Sequence, residues 1–293
     1  MNVKKGSILL FMAAAVGGIG FVWVKIILDA GYSNFQCVAG RYLMACIFMA
    51  GIFAVRPRKP NKETIKKGII LGEVLFISFF LMNEGLKITT PSVNAFLTNT
   101  QSILVPVIML LLFRKVPEKR VLIAAVMTAF GAWLLSFDGQ SDFSVGAFLS
   151  LSASAMFSLQ IVLLGRFVGD SDPLEITMVE NLTVLITALI VCVISGESLP
   201  EIRPNEIYAF ASLGFFSTFL YFVLQSIGQK SASPSLAGII ISTESVFAAI
   251  FSVILYGENL SKFAILGCGF IFAAVILAEY RPKAIKRLTT GAK

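Results

Sequence analysis

Carboxylates lie inside long apolar stretches of this 293-residue chain, where an ionised group is costly unless it meets water, a cation or a partner. Glu244 stands near the middle of one stretch, where it can bind an ammonium group, carry a proton, or act as a structural group bonded to neighbouring helices. Glu73 lies one to two turns inside another stretch, on one helical stripe with Phe80 and Glu84. This stripe predicts one wall of a cation-accepting path, although Glu73 can also snorkel and Glu84 is expected at the outer mouth.

Two basic residues also lie inside apolar stretches. Arg41 stands at a depth similar to that of Glu180, and Lys25 lies near the outer end of the first stretch. For both we favour snorkelling or an ion pair that holds helices in register. If Lys25 instead faces a cavity, it could hold a carboxylate, and together with Glu244 it would suit a zwitterion.

Uncharged polar side chains recur at helical spacing on two further stretches. They are Asn94, Thr98 and Gln101 at i, i+4 and i+7, and Thr218, Tyr221 and Gln225 at i, i+3 and i+7. Such stripes either hydrogen-bond across helices or line a wet pocket, and the pocket is favoured here. Gln160 and Trp23 are weaker additions, since Trp23 also fits an interfacial belt.

The elements that must position these side chains are long apolar helices. Hydrophobic residues make up 57% of the chain and charged residues 14%, against roughly 45–50% and 25% in soluble domains. Runs of about 20 apolar residues, long enough to cross a bilayer, predict ten spans. They lie near 7–28, 36–55, 68–86, 92–113, 119–136, 145–168, 175–195, 207–229, 234–256 and 261–279. The sequence therefore predicts an all-α integral membrane protein without strands.

An internal repeat organises these spans. The stretch 86–112 recurs as 229–255, at an offset of 143 residues. The identities are Phe79/Phe222, Leu81/Leu224, Gly85/Gly228, Lys87/Lys230, Pro91/Pro234, Ser92/Ser235 and Ser102/Ser245. In each copy a Thr or Ser precedes the Pro, so its hydroxyl can cap a helix whose first position the Pro fills. The chain is thus predicted to hold two five-helix repeats, residues 1–139 and 140–293, and Gln101 is the repeat mate of Glu244.

Loop charge predicts the orientation of the spans. If the N-terminus is cytoplasmic, nineteen of the 24 basic residues fall in inside segments and only Lys87, Arg203 and Lys262 in outside loops. This bias predicts a multi-pass protein of the cell membrane, inner or plasma, with both termini in the cytoplasm. Because each half has five spans, the second repeat must be inverted relative to the first. Inverted repeats typically enclose a binding site near the membrane midplane.

Composition excludes several kinds of chemistry. The chain has no histidine, which removes His-based triads, H-E-x-x-H metal sites and haem ligation. Its four cysteines lie in apolar segments without C-x-x-C spacing, so neither a disulfide framework nor a zinc site is predicted. No nucleotide motif is present, and the net charge of +7 lies in short loops, so neither ATP-driven pumping nor nucleic-acid binding is indicated. We predict no cofactor and no catalytic residue.

Four stretches carry a resemblance to a known family. They are "GGIGFVWVKI" at 17–26, "GLKITTPSVNAFLTNTQSILVPVIMLLLFRKVP" at 85–117, "SASAMFSLQIVLLGRF" at 152–167, and the run from Ile227 to Glu279. With them the chain resembles the EamA-type ten-helix members of the drug/metabolite transporter superfamily. The resemblance implies a monomeric or weakly dimeric secondary carrier, often an exporter, with a cavity lined by the first, third, fourth, sixth, eighth and ninth helices.

We therefore predict a proton-coupled or facilitative exporter of small amphipathic metabolites such as amino acids or amines. Its predicted binding residues are Glu244, Gln101, Glu73, Asn94, Thr98, Tyr221, Gln225, Gln160, Trp23 and Lys25. An exchanger of nucleotide sugars or sugar phosphates is the alternative, although it usually needs more basic groups than this chain has inside its spans. An intramembrane lipid-modifying enzyme is the alternative from another class, and without histidine only scattered carboxylates remain for it.

Overall fold

The chain folds into long helices. The computed structural model describes residues 2–55, 57, 59–114, 116–135, 145–198 and 203–279. Within these ranges there is no strand, and eight helices are long and apolar enough to cross a membrane. The helices are α1 (Val3–Asp29), α2 (Asn34–Val55), α3 (Lys62–Lys87), α4 (Pro91–Phe113), α5 (Lys119–Leu135), α6 (Val145–Phe167), α7 (Pro173–Ile194), α8 (Ile207–Gln229), α9 (Pro234–Tyr256) and α10 (Lys262–Glu279).

The prediction of an all-helical membrane protein is confirmed in this coarser form. The two helices outside the set of eight are α5, with 17 residues, and α10, with 18. Ten spans and the inverted arrangement of the two halves stay predictions. One boundary differs from the apolar run: α3 begins at Lys62 rather than near residue 68, because the Asn61 side chain caps it by accepting from the Thr64 amide at 2.8 Å.

The predicted hydroxyl caps of α4 and α9 are confirmed. Thr90 Oγ1 accepts from the Val93 amide at 3.4 Å, and Ser233 Oγ accepts from the Leu236 amide at 3.3 Å. A Pro follows each cap at the first helical position, where no amide donor is needed. The two copies of the repeat therefore start these helices in the same way.

Both α4 and α9 are interrupted at the same repeat position, which the apolar runs did not predict. In α4 a two-residue turn separates Pro91–Thr98 from Gln101–Phe113, and in α9 such a turn separates Pro234–Ile241 from Glu244–Phe251. At each interruption a hydroxyl donates to a carbonyl of the helix before the turn. Thr100 Oγ1 donates to the Leu97 carbonyl and Thr243 Oγ1 to the Ile240 carbonyl, both at 2.7 Å. The interruptions also touch, because Ser242 Oγ donates to the Asn99 carbonyl at 3.0 Å.

Eight helices surround the centre of the molecule. α3 packs against α6 and α7, α2 against α7 and α8, α1 against α8 and α9, and α4 against α6 and α9. α5 and α10 pack along each other, so closely that a Cβ on Gly131 would lie 2.6 Å from the Gly267 carbonyl oxygen. This pair contacts the rest mainly through α4 and α9. The interrupted helices therefore stand at the centre, where they can shape a cavity.

Candidate functional site

A cavity lies where the interrupted helices meet, and its empty space together with the open solvent at its mouth measures about 450 Å³. Its walls come from α1, α2, α3, α4, α6, α8 and α9, so α2 joins the six helices that the family resemblance implied. Apolar side chains dominate the lining, among them Phe21, Phe79, Met82, Phe157 and Phe222. Its titratable side chains are Arg41, Tyr221 and Glu244. The cavity is therefore an apolar pocket with a few polar groups, the usual form of a small-molecule site.

Arg41 lines this cavity, although the sequence favoured a structural role for it. Its side chain is only 2% exposed, and its Cζ atom lies 4.2 Å from the centroid of the Phe79 ring. Nε donates to Thr218 Oγ1 at 3.0 Å and Nη2 donates to the Ser217 carbonyl at 2.9 Å. The remaining guanidinium nitrogen, Nη1, makes no hydrogen bond to the described residues. The Arg41 guanidinium is thus held in place by two hydrogen bonds and can still donate further hydrogen bonds to a ligand.

A π-helical segment of α8 provides the carbonyl that anchors Arg41. Phe215–Leu220 forms this segment, and Thr218 Oγ1 donates to the Leu213 carbonyl at 3.0 Å. Such segments disturb the regular i to i−4 ladder and are frequent at functional sites. Here the disturbance leaves the Ser217 carbonyl available to a side chain from another helix, while Ser217 Oγ donates to the Gly17 carbonyl at 2.9 Å.

Glu244 is the first residue of the second half of α9, directly after its interruption. Its carboxylate is partly exposed to the cavity and lies beside the Tyr221 hydroxyl. Gly17 makes room for it, because a Cβ there would lie 2.8 Å from Glu244 Oε1 and 2.7 Å from Tyr221 Cδ2. Its position at the start of a half-helix is also where a carboxylate interacts favourably with free backbone amides.

The acid and the base line one cavity without pairing. Among the described residues, no ion pair joins Arg41 to Glu244. A buried charge without a partner is costly, so each group benefits from a ligand of opposite charge. The arrangement fits a small molecule with a carboxylate at one end, an ammonium at the other and an apolar side chain between the aromatic rings.

Four of the ten predicted binding residues line the cavity. They are Glu244, Gln101, Thr98 and Tyr221, and the first two are repeat mates. Gln101 is oriented by a neighbour, since its Nε2 donates to Asn99 Oδ1 at 2.9 Å.

Three predicted amides hold helices together instead. Asn94 Nδ2 donates to the Met82 carbonyl at 3.1 Å and to Ser150 Oγ at 2.8 Å, which joins α4 to α3 and α6. Gln160 and Gln225 are fully buried and bonded to each other, with Gln225 Nε2 donating to Gln160 Oε1 at 3.1 Å. None of the three lines the cavity.

The remaining predicted residues lie elsewhere. Glu73 is exposed on the outer face of the bundle, where Thr187 Oγ1 donates to it at 2.8 Å, because its position on α3 faces away from the centre. Lys25 Nζ lies 3.3 Å from Asp29 and donates to the Leu86 and Lys87 carbonyls, away from the cavity. The basic group on the cavity wall is Arg41 instead. Trp23 packs in the apolar cluster around Phe210.

Glu84 and Glu180 also lie outside the cavity. Glu84 accepts from Asn34 Nδ2 at 2.9 Å and pairs with Lys87 at 2.7 Å, near the end of α3 as expected. Glu180 accepts from Gln160 Nε2 at 2.9 Å in the interior. The ion pair considered for Arg41 and Glu180 is absent from the described residues.

The aromatic lining and Arg41 are what sequence reasoning missed. Phe79 and Phe222 are repeat mates and both line the cavity, so the repeat itself could have distinguished them from the many lipid-facing Phe residues. Arg41 lies deeper inside its predicted span than Arg120 and Arg166, which stand at the ends of theirs, and such a position by itself suggests function. No sequence signal marks Phe21 or Phe157.

Long apolar helices around a cavity with an acid and a base on its wall fit a multi-span membrane transporter. The chain belongs to the EamA-like transporter family of the drug/metabolite transporter superfamily, whose family model matches residues 4–137 and again 144–280. The resemblance seen in the four sequence stretches is therefore confirmed.

Individual relatives agree with this assignment. An uncharacterized transporter of Archaeoglobus fulgidus is 28% identical over 272 residues, which cover 93% of this chain and 85% of that protein. The uncharacterized transporter YyaM of Bacillus subtilis is 23% identical over 254 residues, 84% of this chain and 82% of that protein. A crystal structure with 19% identity superposes with a TM-score of 0.74 over 97% of this chain and 99% of the other, which shows the shared fold.

Proposed function

We propose that this protein is a secondary transporter that exports small zwitterionic metabolites, amino acids with apolar side chains in particular. The observation that carries the proposal is that Arg41 and Glu244 stand on the wall of one cavity and form no ion pair with any residue that the structure describes. Arg41 would hold the carboxylate through its free guanidinium edge, and Glu244 would hold the ammonium group. An amine without a carboxylate would leave the buried guanidinium unpaired.

The lining of the cavity supports a small substrate with an apolar part. The rings of Phe21, Phe79, Phe157 and Phe222 and the side chain of Met82 offer apolar contact to the rest of the substrate. An apolar or aromatic side chain suits this lining best.

We further propose transport by alternating access between two inverted five-helix halves, residues 1–139 and 140–293. The repeat itself supports this, and so do the interruptions of α4 and α9. These interruptions directly follow Thr98 and Ile241, which are 143 residues apart. The positive-inside bias supports a cell-membrane protein with cytoplasmic termini, acting as a monomer or weak homodimer in the bilayer. Protons are the proposed coupling ion.

The alternatives gain less support from the cavity. A sugar phosphate or nucleotide sugar carries at least one more negative charge than a single arginine can match, and Glu244 would repel it. A lipid-modifying enzyme needs a nucleophile or a general base placed to attack a headgroup. The titratable groups of the cavity, Arg41, Tyr221 and Glu244, serve binding better.

Counterflow in proteoliposomes tests the proposal. The probes share one ring and differ in charge: radiolabelled phenylalanine has both groups, phenethylamine only the ammonium and phenylacetate only the carboxylate. We expect saturable phenylalanine counterflow. The other two should compete at least about tenfold more weakly, the factor that corresponds to losing about 1.4 kcal/mol. Glu244→Gln should abolish the preference for phenylalanine over phenylacetate, and the exposed acid variant Glu73→Gln is the matched control.

Other outcomes overturn the proposal in distinguishable ways. Counterflow of a sugar phosphate in place of phenylalanine would identify the anion exchanger. A chemically altered product would identify an enzyme, and flux that does not saturate would identify a channel. Wild-type selectivity in Glu244→Gln would remove Glu244 from the binding site.

A further inference from the structure

A second carboxyl group is buried in the bundle and takes no part in lining the cavity. Glu180 on α7 is fully buried, and Tyr42 of α2 is its aromatic neighbour. Tyr42, Phe79 and Phe222 form an aromatic layer, with ring centroids 5.7 to 6.5 Å apart. Phe79 and Phe222 line the cavity, whereas Tyr42 and its neighbour Glu180 do not.

Glu180 ends a buried chain of hydrogen bonds that is incomplete. Gln225 Nε2 donates to Gln160 Oε1 at 3.1 Å, and Gln160 Nε2 donates to Glu180 Oε1 at 2.9 Å. Glu180 Oε2 and Gln225 Oε1 are buried without a partner among the described residues, and so is the Tyr42 hydroxyl. Buried polar atoms are rarely left unpaired in proteins, so unpaired oxygens on Glu180, on its neighbour Tyr42 and at the far end of the chain indicate a missing ligand.

No basic side chain compensates Glu180. It forms no ion pair in the described part of the chain. The groups next to it are Tyr42 from α2 and Gln160 from α6, and Gln225 from α8 follows behind Gln160. On α3, the acid Glu73 is held at the outer face by Thr187. A carboxylate in such surroundings lacks the compensation that a buried charge requires, and a proton would remove the charge.

The surroundings fit a proton better than a metal cation. α7 runs as an unbroken helix from Pro173 to Ile194, so its carbonyls near Glu180 are occupied by helical hydrogen bonds. Cation sites in carriers usually use carbonyls of unwound helices, which this protein has in α4 and α9 instead. The Gln160 amide already donates to one carboxyl oxygen, so only the other carboxyl oxygen is left to bind a cation.

A polar route leads from Glu180 to the end of the bundle where α7 begins and α8 ends. One turn from Glu180, Thr177 Oγ1 and Ser226 Oγ are hydrogen-bonded at 2.6 Å. Beyond Ser226, Gln229 Nε2 donates to the Ile161 carbonyl at 2.9 Å while its Oε1 has no partner among the described residues. Lys230 lies at the exposed end of the route. By the loop charges this end is predicted to be cytoplasmic.

We propose that Glu180 is a proton-binding site distinct from the substrate cavity, loaded and emptied through this route, and that it couples proton movement to transport. The site rests on the proposed transport function and assigns its coupling group. It belongs to one half of the molecule only: at the offset of 140 residues at which the first helices of the two halves coincide (Gly6/Gly146, Ala13/Ala153), the repeat equivalent of Glu180 is Gly40. Gly40 packs against the Phe210 ring, with no room for a side chain.

Two assays on the same proteoliposomes separate coupling from binding. The first is phenylalanine counterflow at equal pH, and the second is phenylalanine accumulation driven by a pH gradient, with a trapped pH-sensitive dye reporting proton movement. For Glu180→Gln we expect counterflow within about twofold of wild type, with gradient-driven accumulation and proton movement reduced at least about tenfold. Glu73→Gln, which removes a carboxylate from the outer face of α3, should behave as wild type in both assays.

Gradient-driven accumulation by Glu180→Gln at the wild-type level would overturn the proposal, as would accumulation that follows a sodium gradient and ignores pH. Absence of counterflow in the wild type would instead remove the proposed function. If Glu180→Gln does not insert, the wild type can be treated with dicyclohexylcarbodiimide, which modifies protonated buried carboxyl groups. Mass spectrometry should then find the label on Glu180, more of it at lower pH, and a label absent from Glu180 would contradict the site.

Discussion

Arg41 is fixed on one side by α8 and left free on the other. Two of its nitrogens donate to Thr218 and Ser217, and its Cζ atom lies over the Phe79 ring. A guanidinium is suited to this combination, because it is planar, stays charged and donates in several directions at once. The free edge can therefore meet a carboxylate while the rest of the group keeps its own contacts.

Replacing Arg41 by Lys tests this arrangement. An ammonium group cannot stack flat on Phe79 while donating to both Ser217 and Thr218, so it loses its fixed position. We expect Arg41→Lys to weaken phenylalanine competition in the counterflow assay at least about tenfold, with phenethylamine changed much less. Arg166→Lys is the matched control, since Arg166 stacks on Phe113 at 4.9 Å, away from the cavity. Equal effects on both probes would contradict a carboxylate contact.

Gly17 is a second residue whose identity the site requires. In Gly17→Ala the new Cβ would lie 2.8 Å from Glu244 Oε1 and 2.7 Å from the Tyr221 ring, so one of them must move. Overpacking of this kind typically costs about 1–3 kcal/mol, and we expect transport to fall about tenfold or more. Gly51→Ala is the matched control, because nothing lies within 4 Å of its Cβ position. Initial rates of counterflow, with expression and monodispersity as checks, decide the prediction.

Which polar residues line the cavity could be predicted only in part. Repeat position identified Gln101 and Glu244, because equivalent residues of two copies meet at the shared centre. Helical spacing failed for Asn94 and Gln225, because it places residues on one face without saying which neighbour covers that face. The turn after Thr98 and the π-helical segment of α8 also change the phase of each stripe midway.

At the level of elements, helices and caps follow from the sequence more fully than their interruptions do. Apolar length predicts a helix, and the Thr-Pro-Ser and Ser-Pro-Ser starts of α4 and α9 predict where each begins. The interruptions depend on hydroxyl side chains such as Thr100, Thr243 and Ser242 taking carbonyls of their own helix or of its partner. Isolated Ser and Thr residues in apolar runs are too common to reveal this by themselves.

The ends of α4 and α9 provide a test of element stability. Both helices end at a left-handed residue of equivalent repeat position: Arg114 with φ 53° and Gly257 with φ 74°. A side chain in this conformation is strained by about 1–2 kcal/mol, whereas glycine adopts it freely. Arg114→Gly should therefore be more stable than Arg114→Ala by about 1 kcal/mol, measured by thermal unfolding in detergent. Equal midpoints for the two variants would contradict the left-handed end.

At the scale of the whole molecule, the two ends of the repeat are not equivalent. Glu258, just after α9, accepts from Thr90 Oγ1 and Ser92 Oγ, both at 2.9 Å, and so ties the end of α9 to the start of α4. The repeat equivalent of Glu258 is Lys115, which lies outside the described residues, so by sequence this carboxylate tie belongs to one end only. The two repeats therefore differ in the hydrogen bonds at their ends, and only the second has a residue such as Glu180. Such differences can make one of two conformations more stable and so favour one direction of transport.

The inverted arrangement predicts that equivalent junctions lie on opposite sides of the membrane. Lys87 and Lys230 are repeat mates, exposed at the ends of α3 and α8. The test replaces each lysine by Cys in a variant that lacks the four native cysteines. Intact cells are then labelled with a maleimide that does not cross the membrane. Lys87→Cys should react from outside, whereas Lys230→Cys and the control Lys4→Cys should react only after permeabilisation, as the positive-inside bias requires. Reaction of both mates from the same side would contradict inversion, and with it the two-sided cavity on which alternating access depends.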